Sequence, residues 1–280
     1  MIIWLASYPK SGNTWVRVLI NQLLNFDKNN QNVLDNINNI EIYPKTKQFA
    51  SLSDNLENRE NVVKNWINSQ KMICSENKVK ILKTHNVLGG FGKDIFTNQD
   101  LTMGVIHIVR DPRNIATSIL NHYSLQTQDD AKKFLFEKNN WIGGKLKDGI
   151  HLDTFISSWN IHYQSWKSFK KNYILIKYED LIKDSKKELI KISRYLNQFI
   201  NHNILETDLD LILKRSSFEK LQDLENKGKF KEAVINKSTG NKVNFFNLGP
   251  KNVWKNNLKK EISKKIEKEF EQEMLELGYL

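Results

Sequence analysis

Short apolar runs rich in Val, Ile and Leu interrupt an otherwise polar chain. Runs of this length and composition are typical of strands that are buried on both faces of a sheet. Between them, apolar residues recur every three or four positions, as they do on one face of a helix. The pattern predicts strands at Ile2–Ser7, Val79–Lys83, Val105–Val109 and Tyr173–Lys177.

Two stretches carry the clearest helical periodicity. One predicts a helix that buries Leu152, Phe155, Ile156, Trp159, Tyr163 and Trp166, and the other predicts a C-terminal helix that buries Ile262, Ile266, Phe270, Met274 and Leu277. Strands that alternate with helices favour βαβ units. The fold class is therefore α/β, with a central parallel sheet of about four or five strands flanked by helices. Ligands of such sheets bind beyond the carboxyl ends of the strands.

The composition bounds the class of protein. The chain has 280 residues, of which 39% are hydrophobic and 27% are charged, as in an ordinary soluble globular protein. Without repeats or a Pro/Gly-rich linker, the length favours a single domain over residues 1–280. Cys74 is the sole cysteine, which excludes an intrachain disulfide. A signal segment and a membrane span are not indicated, so the expected location is cytoplasmic.

The net charge of +11 indicates an anionic partner, such as nucleic acid, a membrane surface or a phosphate-rich small molecule. Lysine is frequent along the whole chain, so unselected surface lysines explain the excess equally well. The charge alone therefore does not choose among these partners.

The first predicted strand leads directly into Ser7-Tyr8-Pro9-Lys10-Ser11-Gly12-Asn13-Thr14-Trp15 and a helix. A tight turn at a helix N-terminus presents free backbone N–H groups to an anion, and Lys10 adds a positive charge. The alternative is a plain strand-to-helix turn that Thr14 caps. The turn lacks the G-x-x-x-x-G-K-[ST] spacing of nucleoside-triphosphate loops.

Two further strand ends carry candidate chemistry. Lys83 and His85 end the second strand, where an imidazole suits a general base and an ammonium can stabilise a departing oxyanion; a structural histidine is the alternative. The third strand leads into Arg110, with Ser118 eight residues later. Asp111 and Pro112 between them are explained as a helix N-cap and first helical residue. Arg113 is left without a role, with a solvated surface charge as the candidate interpretation.

These motifs resemble those of the PAPS-dependent sulfotransferase family, where PAPS is 3′-phosphoadenosine 5′-phosphosulfate. The first turn resembles the family's 5′-phosphosulfate loop, usually Tyr-Pro-Lys-Ser-Gly-Thr-Thr-Trp, with Asn13 as the departure. Lys-Thr-His, the Arg with its later Ser, and Tyr-Glu-Asp-Leu at Tyr178 follow in the family's order. The resemblance implies a P-loop-NTPase-like three-layer fold. It also implies sulfuryl transfer to a hydroxyl or amine, which leaves 3′,5′-adenosine bisphosphate (PAP) and needs no metal.

The resemblance also implies roles for single residues. His85 is the expected general base, and Lys10 and Lys83 are expected to stabilise the transferring group. The residues expected to bind the donor are Lys10, Ser11, Gly12, Asn13, Thr14 and Trp15 at the 5′ end, Arg110 and Ser118 at the 3′-phosphate, and Tyr178, Ser216, Phe218 and Gly249 towards the adenine and the closing segment.

One segment departs from the family. Asn247 and Leu248 stand where it has Arg and Lys over the 3′-phosphate, although Gly249, Trp254 and Lys255 fit. Either Lys251 or Lys242 supplies the missing charge, or the affinity for the donor is lower.

A nucleotide or small-molecule kinase of the P-loop type shares the fold but would need a triphosphate loop and a magnesium carboxylate. A nucleic-acid-binding protein is the second alternative, although the basic residues are scattered along the chain. The expected partner is a small-molecule or glycan acceptor, without nucleic acid. Loops 86–98 and 124–150 are expected to shape its pocket, with Phe91 and Trp141 as candidate wall residues; ordinary packing is the equal alternative for both. The acceptor's identity and the oligomeric state stay open.

Overall fold

The computed structural model describes residues 1–30, 32–76, 78–143, 151–202, 204–230, 234–235 and 242–280. The strands are β1 (Ile2–Ser7), β2 (Glu41–Ile42), β3 (Lys80–Thr84), β4 (Gly90–Phe91), β5 (Asp94–Ile95), β6 (Thr102–Val109), β7 (Trp141–Ile142), β8 (Thr154–Phe155), β9 (Tyr173–Lys177), β10 (Val234–Ile235) and β11 (Lys242–Val243). The helices are α1 (Asn13–Leu24), α2 (Arg59–Lys64), α3 (Trp66–Cys74), α4 (Pro112–His122), α5 (Gln128–Phe136), α6 (Trp159–Lys167), α7 (Tyr178–Lys183), α8 (Ser185–Leu196), α9 (Glu206–Arg215), α10 (Phe218–Asn226), α11 (Trp254–Asn257), α12 (Lys260–Glu269) and α13 (Glu271–Leu277).

A five-stranded sheet has the order β2-β3-β1-β6-β9. Its central strand, β1, pairs in parallel with β3 on one side and with β6 on the other. All six residues of β1 are buried, which explains why the first apolar run has no polar alternation. Ala6 lies opposite Thr84 and Ser7 opposite Ile108, so the carboxyl ends of these three strands meet at one edge. The predicted α/β class with a central parallel sheet is confirmed.

The four predicted strands are all present. β3 is shifted by one residue towards its carboxyl end, and β6 begins three residues earlier than predicted. The sheet's fifth strand, β2, contributes only two residues, too few to give an apolar run. An aromatic core backs the sheet and contains Trp4, Tyr43, Phe49, Trp66, Phe96 and Trp166.

The backbone contacts divide the chain into two compact units. The first consists of residues 1–8, 40–109 and 137–176, and it holds almost the whole sheet. The second consists of residues 9–39, 110–136 and 177–280, and it holds α1, α4, α5 and the helices after β9. Each unit is assembled from three separate stretches of chain. The single domain over residues 1–280 stays a prediction.

The helix predicted from the stripe between Leu152 and Trp166 is wrong over its first half. α6 begins only at Trp159. Before it, β8 pairs with β7 in an antiparallel ladder, and Ser157 has a left-handed φ of 56° that a continuous helix cannot contain. Burial of Leu152 and Ile156 in this irregular segment produced apolar spacing that resembles a helix.

The predicted C-terminal helix is interrupted. α12 ends at Glu269 and α13 begins at Glu271, with Phe270 between them at a φ of −114°. The apolar face continues across the break, because Ile266, Phe270 and Met274 are all fully buried. Periodicity therefore identified the buried face correctly and missed the local change of backbone.

Candidate functional site

The turn after β1 is held in an unusual backbone conformation. Lys10 and Gly12 both lie in the left-handed region, with φ values of 66° and 98°. Gly12 is the N-cap of α1, and its carbonyl accepts hydrogen bonds from the backbone N–H groups of Trp15 and Val16. The first N–H groups of α1 are therefore at the turn, where a helix dipole favours an anion.

Gly12 is required by close packing as well as by its φ. A Cβ atom at this position would lie 2.4 Å from Cδ2 of Tyr178. The turn can therefore approach the Tyr178 ring only because residue 12 has no side chain. The sequence predicts Gly12 and Tyr178 in the same site, and the structure brings them into contact.

Gly12→Ala is expected to destabilise the protein more than Gly228→Ala. Gly228 also has a positive φ, of 71°, but among the described residues nothing lies within 4 Å of its added Cβ. The control should therefore show only the backbone strain of about 1–2 kcal/mol, whereas Gly12→Ala must also displace the Tyr178 ring. Urea unfolding measures both free energies. Equal losses in the two variants would contradict the packing role of Gly12.

Arg110 joins the turn from the residue after β6. Its Nη1 donates a hydrogen bond to the carbonyl oxygen of Lys10 at 3.0 Å, and its guanidinium lies over the Tyr178 ring at 4.2 Å from the centroid. The residue is only 5% exposed. Its Nε and the fully buried Oγ of Ser11 have no hydrogen-bond partner among the described residues. Because buried polar atoms without partners are costly, these donors indicate an anionic ligand.

A second group of predicted residues surrounds Trp15. Its indole N–H donates to the carbonyl oxygen of Ser216 at 2.8 Å, and its ring meets that of Tyr178 edge-on at 6.0 Å. The Oγ of Ser216 is fully buried and also lacks a partner within the described ranges. Aromatic rings beside unsatisfied hydroxyl groups suit a planar base with polar edges.

Gly249 and Phe218 form the last predicted contact. Gly249 has a φ of 51°, and an added Cβ would lie 2.2 Å from the Phe218 ring. The backbone of the segment after β11 therefore packs directly on this ring.

The remaining predicted donor residues lie on two helices. Asn13 and Thr14 are buried in the first turn of α1, where helix N–H groups are available. Ser118 is half-buried on the second turn of α4, whose N-cap is Asp111 and whose first residue is Pro112. The capping interpretation of Asp111 and Pro112 is confirmed. Contact of Asn13, Thr14 and Ser118 with PAPS stays a prediction.

The interpretation of Arg113 as a solvated surface charge is wrong. Its guanidinium is buried and forms ion pairs with Asp111 at 2.7 Å and with Glu267 at 2.6 Å. It also donates to the carbonyl oxygen of Tyr279 and stacks on Trp254 at 4.1 Å. Arg113 therefore ties the start of α4 to the C-terminal segment and is structural.

The segment that departs from the family is anchored by Glu225. This fully buried carboxylate accepts hydrogen bonds from the backbone N–H groups of Phe245 and Phe246, each at 2.8 Å. Asn247 and Leu248, which follow directly, are exposed, and so is Lys251. The side chain of Lys242 lies outside the described residues. That Lys251 or Lys242 supplies the missing positive charge therefore stays a prediction.

His85 follows β3 and contacts the end of β1. Its Nδ1 lies 2.7 Å from the carbonyl oxygen of Ser7 and 3.2 Å from the Ser7 hydroxyl. A carbonyl can only accept, so Nδ1 carries a proton, and in the neutral imidazole the lone pair therefore lies on Nε2. This is the tautomer that a general base requires at Nε2. Lys83, two residues earlier, is half-buried, and its carbonyl oxygen accepts from the backbone N–H of Tyr43.

Buried histidines support the backbone at His85. Nε2 of His162 donates to the His85 carbonyl oxygen at 3.2 Å, and the His162 ring lies 6.0 Å from that of His107. Burial lowers the pKa of His162 to about 3, and burial together with the neighbouring His162 lowers that of His107 well below its ordinary value. Both imidazoles are therefore neutral in the folded protein at neutral pH.

The free energy of unfolding is expected to decrease as the pH is lowered, because His162 resists protonation in the folded protein. Between its ordinary pKa of 6.5 and the folded value of about 3, the unfolded chain binds a proton that the folded chain excludes. The contribution of His162 is therefore complete above pH 6.5 and is lost as the pH falls towards 3, by up to about 1.4 kcal/mol per pH unit. Urea unfolding from pH 7.5 to 5 measures the slope. His162→Gln, whose amide can still donate to the His85 carbonyl, should reduce the slope; an unchanged slope would refute the assignment.

The two candidate wall residues of the acceptor pocket contact each other. The rings of Phe91 and Trp141 are stacked at 5.5 Å, and each lies 4.9 Å from the ring of Phe155. The cluster is linked to the residue that follows the candidate base His85, because the backbone N–H of Phe155 donates a hydrogen bond to the side chain of Asn86. Phe91 keeps 38% of its surface exposed. Residues 144–150 of the second predicted acceptor loop lie outside the described residues.

Sequence reasoning missed two residues at the turn. His122 and Phe245 both contact the side chain of Lys10. His122 follows Ser118 by four residues on a predicted helix, so the helical repeat offered a signal. Phe245 offered none, because its contact depends on the anchoring by Glu225.

Within the described ranges, no helix combines the length and the apolar character that a membrane crossing needs. In the same part of the chain, no three His, Cys, Asp or Glu side chains come together as metal ligands.

Comparison with known proteins identifies the family of this arrangement. A model described as the sulfotransferase domain matches residues 2–278. The chain belongs to the sulfotransferase family. The prediction of an enzyme, a PAPS-dependent sulfotransferase, is thereby confirmed at the level of the family.

Relatives of this sulfotransferase are distant in sequence. It is 25% identical over 225 residues to the 3-beta-hydroxysteroid sulfotransferase of Cavia porcellus, which covers 79% of this chain and 66% of that protein. It is 23% identical over 265 residues to sulfotransferase 2A6 of Mus musculus, with coverage of 90% and 76%. The chain thus spans about two thirds of the first relative's length.

Solved structures show the same fold. A mouse sulfotransferase, SULT7A1, complexed with PAP superimposes with a TM-score of 0.61 at 20% identity, over 97% of this chain and 84% of that one. The predicted P-loop-NTPase-like fold is confirmed. The number of domains, the location and the roles of single site residues stay predictions.

Proposed function

We propose that this sulfotransferase transfers the sulfuryl group of PAPS to a hydroxyl or amine of a small-molecule or glycan acceptor. The observation that carries the proposal is the turn after β1, where Ser11 and Arg110 have buried donor atoms without a partner among the residues that the structure describes. We also propose that residues 1–280 act as a single domain, since the family model spans nearly the whole chain.

The donor assignment is supported by the chemistry of the second unit. Lys10, Arg110 and the N-terminus of α1 supply positive charge and N–H groups, which suit phosphate and sulfate oxygens. Trp15 and Tyr178 supply ring surfaces, and Ser216 supplies a buried hydroxyl. These residues fit an anionic adenine nucleotide, and Arg110 with Ser118 is proposed to bind its 3′-phosphate. That phosphate separates PAPS from ATP.

His85 is proposed to accept the proton of the attacking group at Nε2. Its Nδ1–H donates to the Ser7 carbonyl, which holds the ring in the tautomer that leaves Nε2 basic. The backbone at His85 and at the next residue is restrained, because His162 donates to the His85 carbonyl and Trp166 donates to that of Asn86. Such restraint keeps a general base oriented.

Lys10 and Lys83 are proposed to stabilise negative charge as it develops. Bound PAPS supplies a sulfuryl group on a phosphate oxygen, and that oxygen keeps the bonding electrons when the group leaves. An ammonium near such an oxygen stabilises the transition state more than the ground state. The proton of the acceptor goes to His85, so the proposed transfer is balanced without a metal.

Of the two proposed classes of acceptor, a small molecule is favoured over a glycan. One relative is named for 3-beta-hydroxysteroids and another, from Photinus pyralis, for luciferin. In this chain, Phe91, Trp141 and Phe155 form an aromatic cluster with exposed surface, which can contact an apolar ring system. A hydroxyl on such a ring system is the proposed nucleophile.

The double variant Asn247→Arg/Leu248→Lys is expected to bind PAP about tenfold more tightly, because each new cation can form a charge-assisted hydrogen bond to phosphate. Both native side chains are exposed, so the change should not disturb the core. Calorimetric titration with PAP gives the affinity, and Lys255→Arg serves as a charge-neutral control in the same region. Unchanged affinity would show that the segment does not approach the 3′-phosphate.

Transfer of radioactive sulfur tests the proposed function. The protein is incubated with ³⁵S-labelled PAPS and host extract fractions, and a parallel reaction contains γ-³²P-ATP and Mg²⁺. The proposal expects a labelled product with PAPS alone. A product labelled only from ATP would favour the kinase alternative and overturn the proposal.

A further inference from the structure

A second imidazole contacts the lysine of the donor turn. His122 is the last residue of α4, one helical turn after Ser118, and its Nδ1 lies 3.4 Å from Nζ of Lys10. Residues four apart lie on the same face of a helix. The face of α4 that carries the proposed 3′-phosphate serine therefore also carries His122.

Lys10 is restrained at both ends of its side chain. At the backbone, its carbonyl oxygen accepts from Arg110, and its left-handed φ fixes the direction in which the side chain leaves the turn. At the tip, the ammonium lies 4.1 Å from the centroid of the Phe245 ring as well as beside His122. An aromatic face and an imidazole nitrogen both attract an ammonium.

The two groups at the tip are themselves held in place. The His122 ring meets the Phe245 ring edge-on at 5.8 Å, and it packs against Tyr123 at 4.8 Å. Glu225 fixes the backbone N–H of Phe245 at 2.8 Å. The ammonium is therefore directed by two side chains, His122 and Phe245, that come from different stretches of the second unit.

We propose that His122 is a positioning residue that directs the ammonium of Lys10 towards the transferring sulfuryl group; this inference rests on the proposed function. The ammonium can only donate, so Nδ1 of His122 accepts and its proton lies on Nε2. This tautomer is opposite to that of His85. One histidine thus presents a basic nitrogen for the acceptor, and the other uses a nitrogen to orient a catalytic cation.

Two substitutions separate positioning from packing. His122→Asn places an amide oxygen close to the position of Nδ1 and keeps an acceptor for the ammonium. His122→Phe keeps an aromatic ring against Phe245 and Tyr123 but removes the acceptor. A structural role would make the phenylalanine variant the milder one, whereas a positioning role makes the asparagine variant the milder one.

Steady-state kinetics with PAPS and calorimetry with PAP test the pair. His122→Phe is expected to lower kcat about tenfold, since a hydrogen bond to a charged group contributes roughly that factor. His122→Asn should stay within about threefold of the wild type, because its amide oxygen replaces the acceptor. PAP affinity should change little in both variants, because the backbone and Arg110 still hold the phosphates. A wild-type kcat in His122→Phe, or an equal loss in His122→Asn, overturns the inference.

Crystal structures of the donor-free wild type and His122→Phe separate this inference from the proposed function. The inference expects the Lys10 ammonium to leave its position beside residue 122 in the variant. An ammonium ordered in the same place overturns the inference whether or not the protein transfers sulfuryl groups. A wild type that neither binds PAP nor uses PAPS overturns the proposed function instead, and the comparison of the two crystal structures still decides the position of Lys10.

Discussion

His85→Asn is expected to lower kcat by about 10²–10⁴-fold, the usual contribution of a general base, while PAP binds with nearly unchanged affinity. The design rests on the contact with Ser7. An asparagine amide can still donate to the Ser7 carbonyl, as Nδ1–H does at 2.7 Å in the native protein. Only the basic nitrogen, Nε2, is then lost. Steady-state kinetics and calorimetry measure the two quantities.

His202→Asn is the matched control. His202 lies in the segment that follows α8, and its Nε2 is 3.2 Å from the carbonyl oxygen of Ser193. No role in the site is proposed for it. It should retain wild-type turnover. If His85→Asn also turned over at the wild-type rate, His85 would not be the base.

Arg110→Met is expected to weaken PAP binding by about a hundredfold, the loss that follows when charge-assisted hydrogen bonds to a phosphate are removed. The effect has two sources. The guanidinium is proposed to bind the 3′-phosphate directly, and it also holds the carbonyl oxygen of Lys10 at 3.0 Å. Its removal therefore loosens the phosphate turn as well. Calorimetric titration measures the affinity at fixed ionic strength.

Two further arginine variants define the origin of that loss. Arg110→Lys keeps the charge but loses the planar fork, so its affinity should lie between those of the wild type and Arg110→Met. Arg194→Met removes an exposed arginine on α8 and should bind PAP as the wild type does. If Arg110→Met and Arg194→Met bound equally well, the contribution would be general electrostatics rather than a specific contact.

The parts of the molecule that could be predicted from sequence are encoded locally. β1 is buried along its whole length, and a strand without polar positions is visible as an apolar run. The turn from Lys10 to Thr14 needs a glycine, a helix start and a cation within a few residues, so its motif is also visible. The cap at Asp111 follows from two adjacent residues.

The parts that could not be predicted depend on contacts between distant residues. The burial of Arg113 is explained by Glu267 and Tyr279, which lie more than a hundred residues later in the chain. The approach of Phe245 to Lys10 depends on the anchoring of Phe245 by Glu225. Nothing in the local sequence of either residue indicates its partner.

The start of α6 shows the limit of periodicity. Leu152 and Ile156 are buried at helical spacing, yet Ser157 turns the chain through a left-handed conformation. Serine carries no strong signal for that conformation, so the spacing predicted a longer helix than the structure contains.

Comparison of PAP with Mg·ATP by calorimetry tests the donor assignment most directly. If Ser11, Arg110 and Ser118 form a site for a nucleotide with phosphates at both ends of its ribose, PAP should bind at least about tenfold more tightly than Mg·ATP, a difference of roughly 1.4 kcal/mol. AMP, which lacks the 3′-phosphate, should also bind more weakly than PAP. Tighter binding of Mg·ATP, or equal binding of PAP and AMP, would contradict the account.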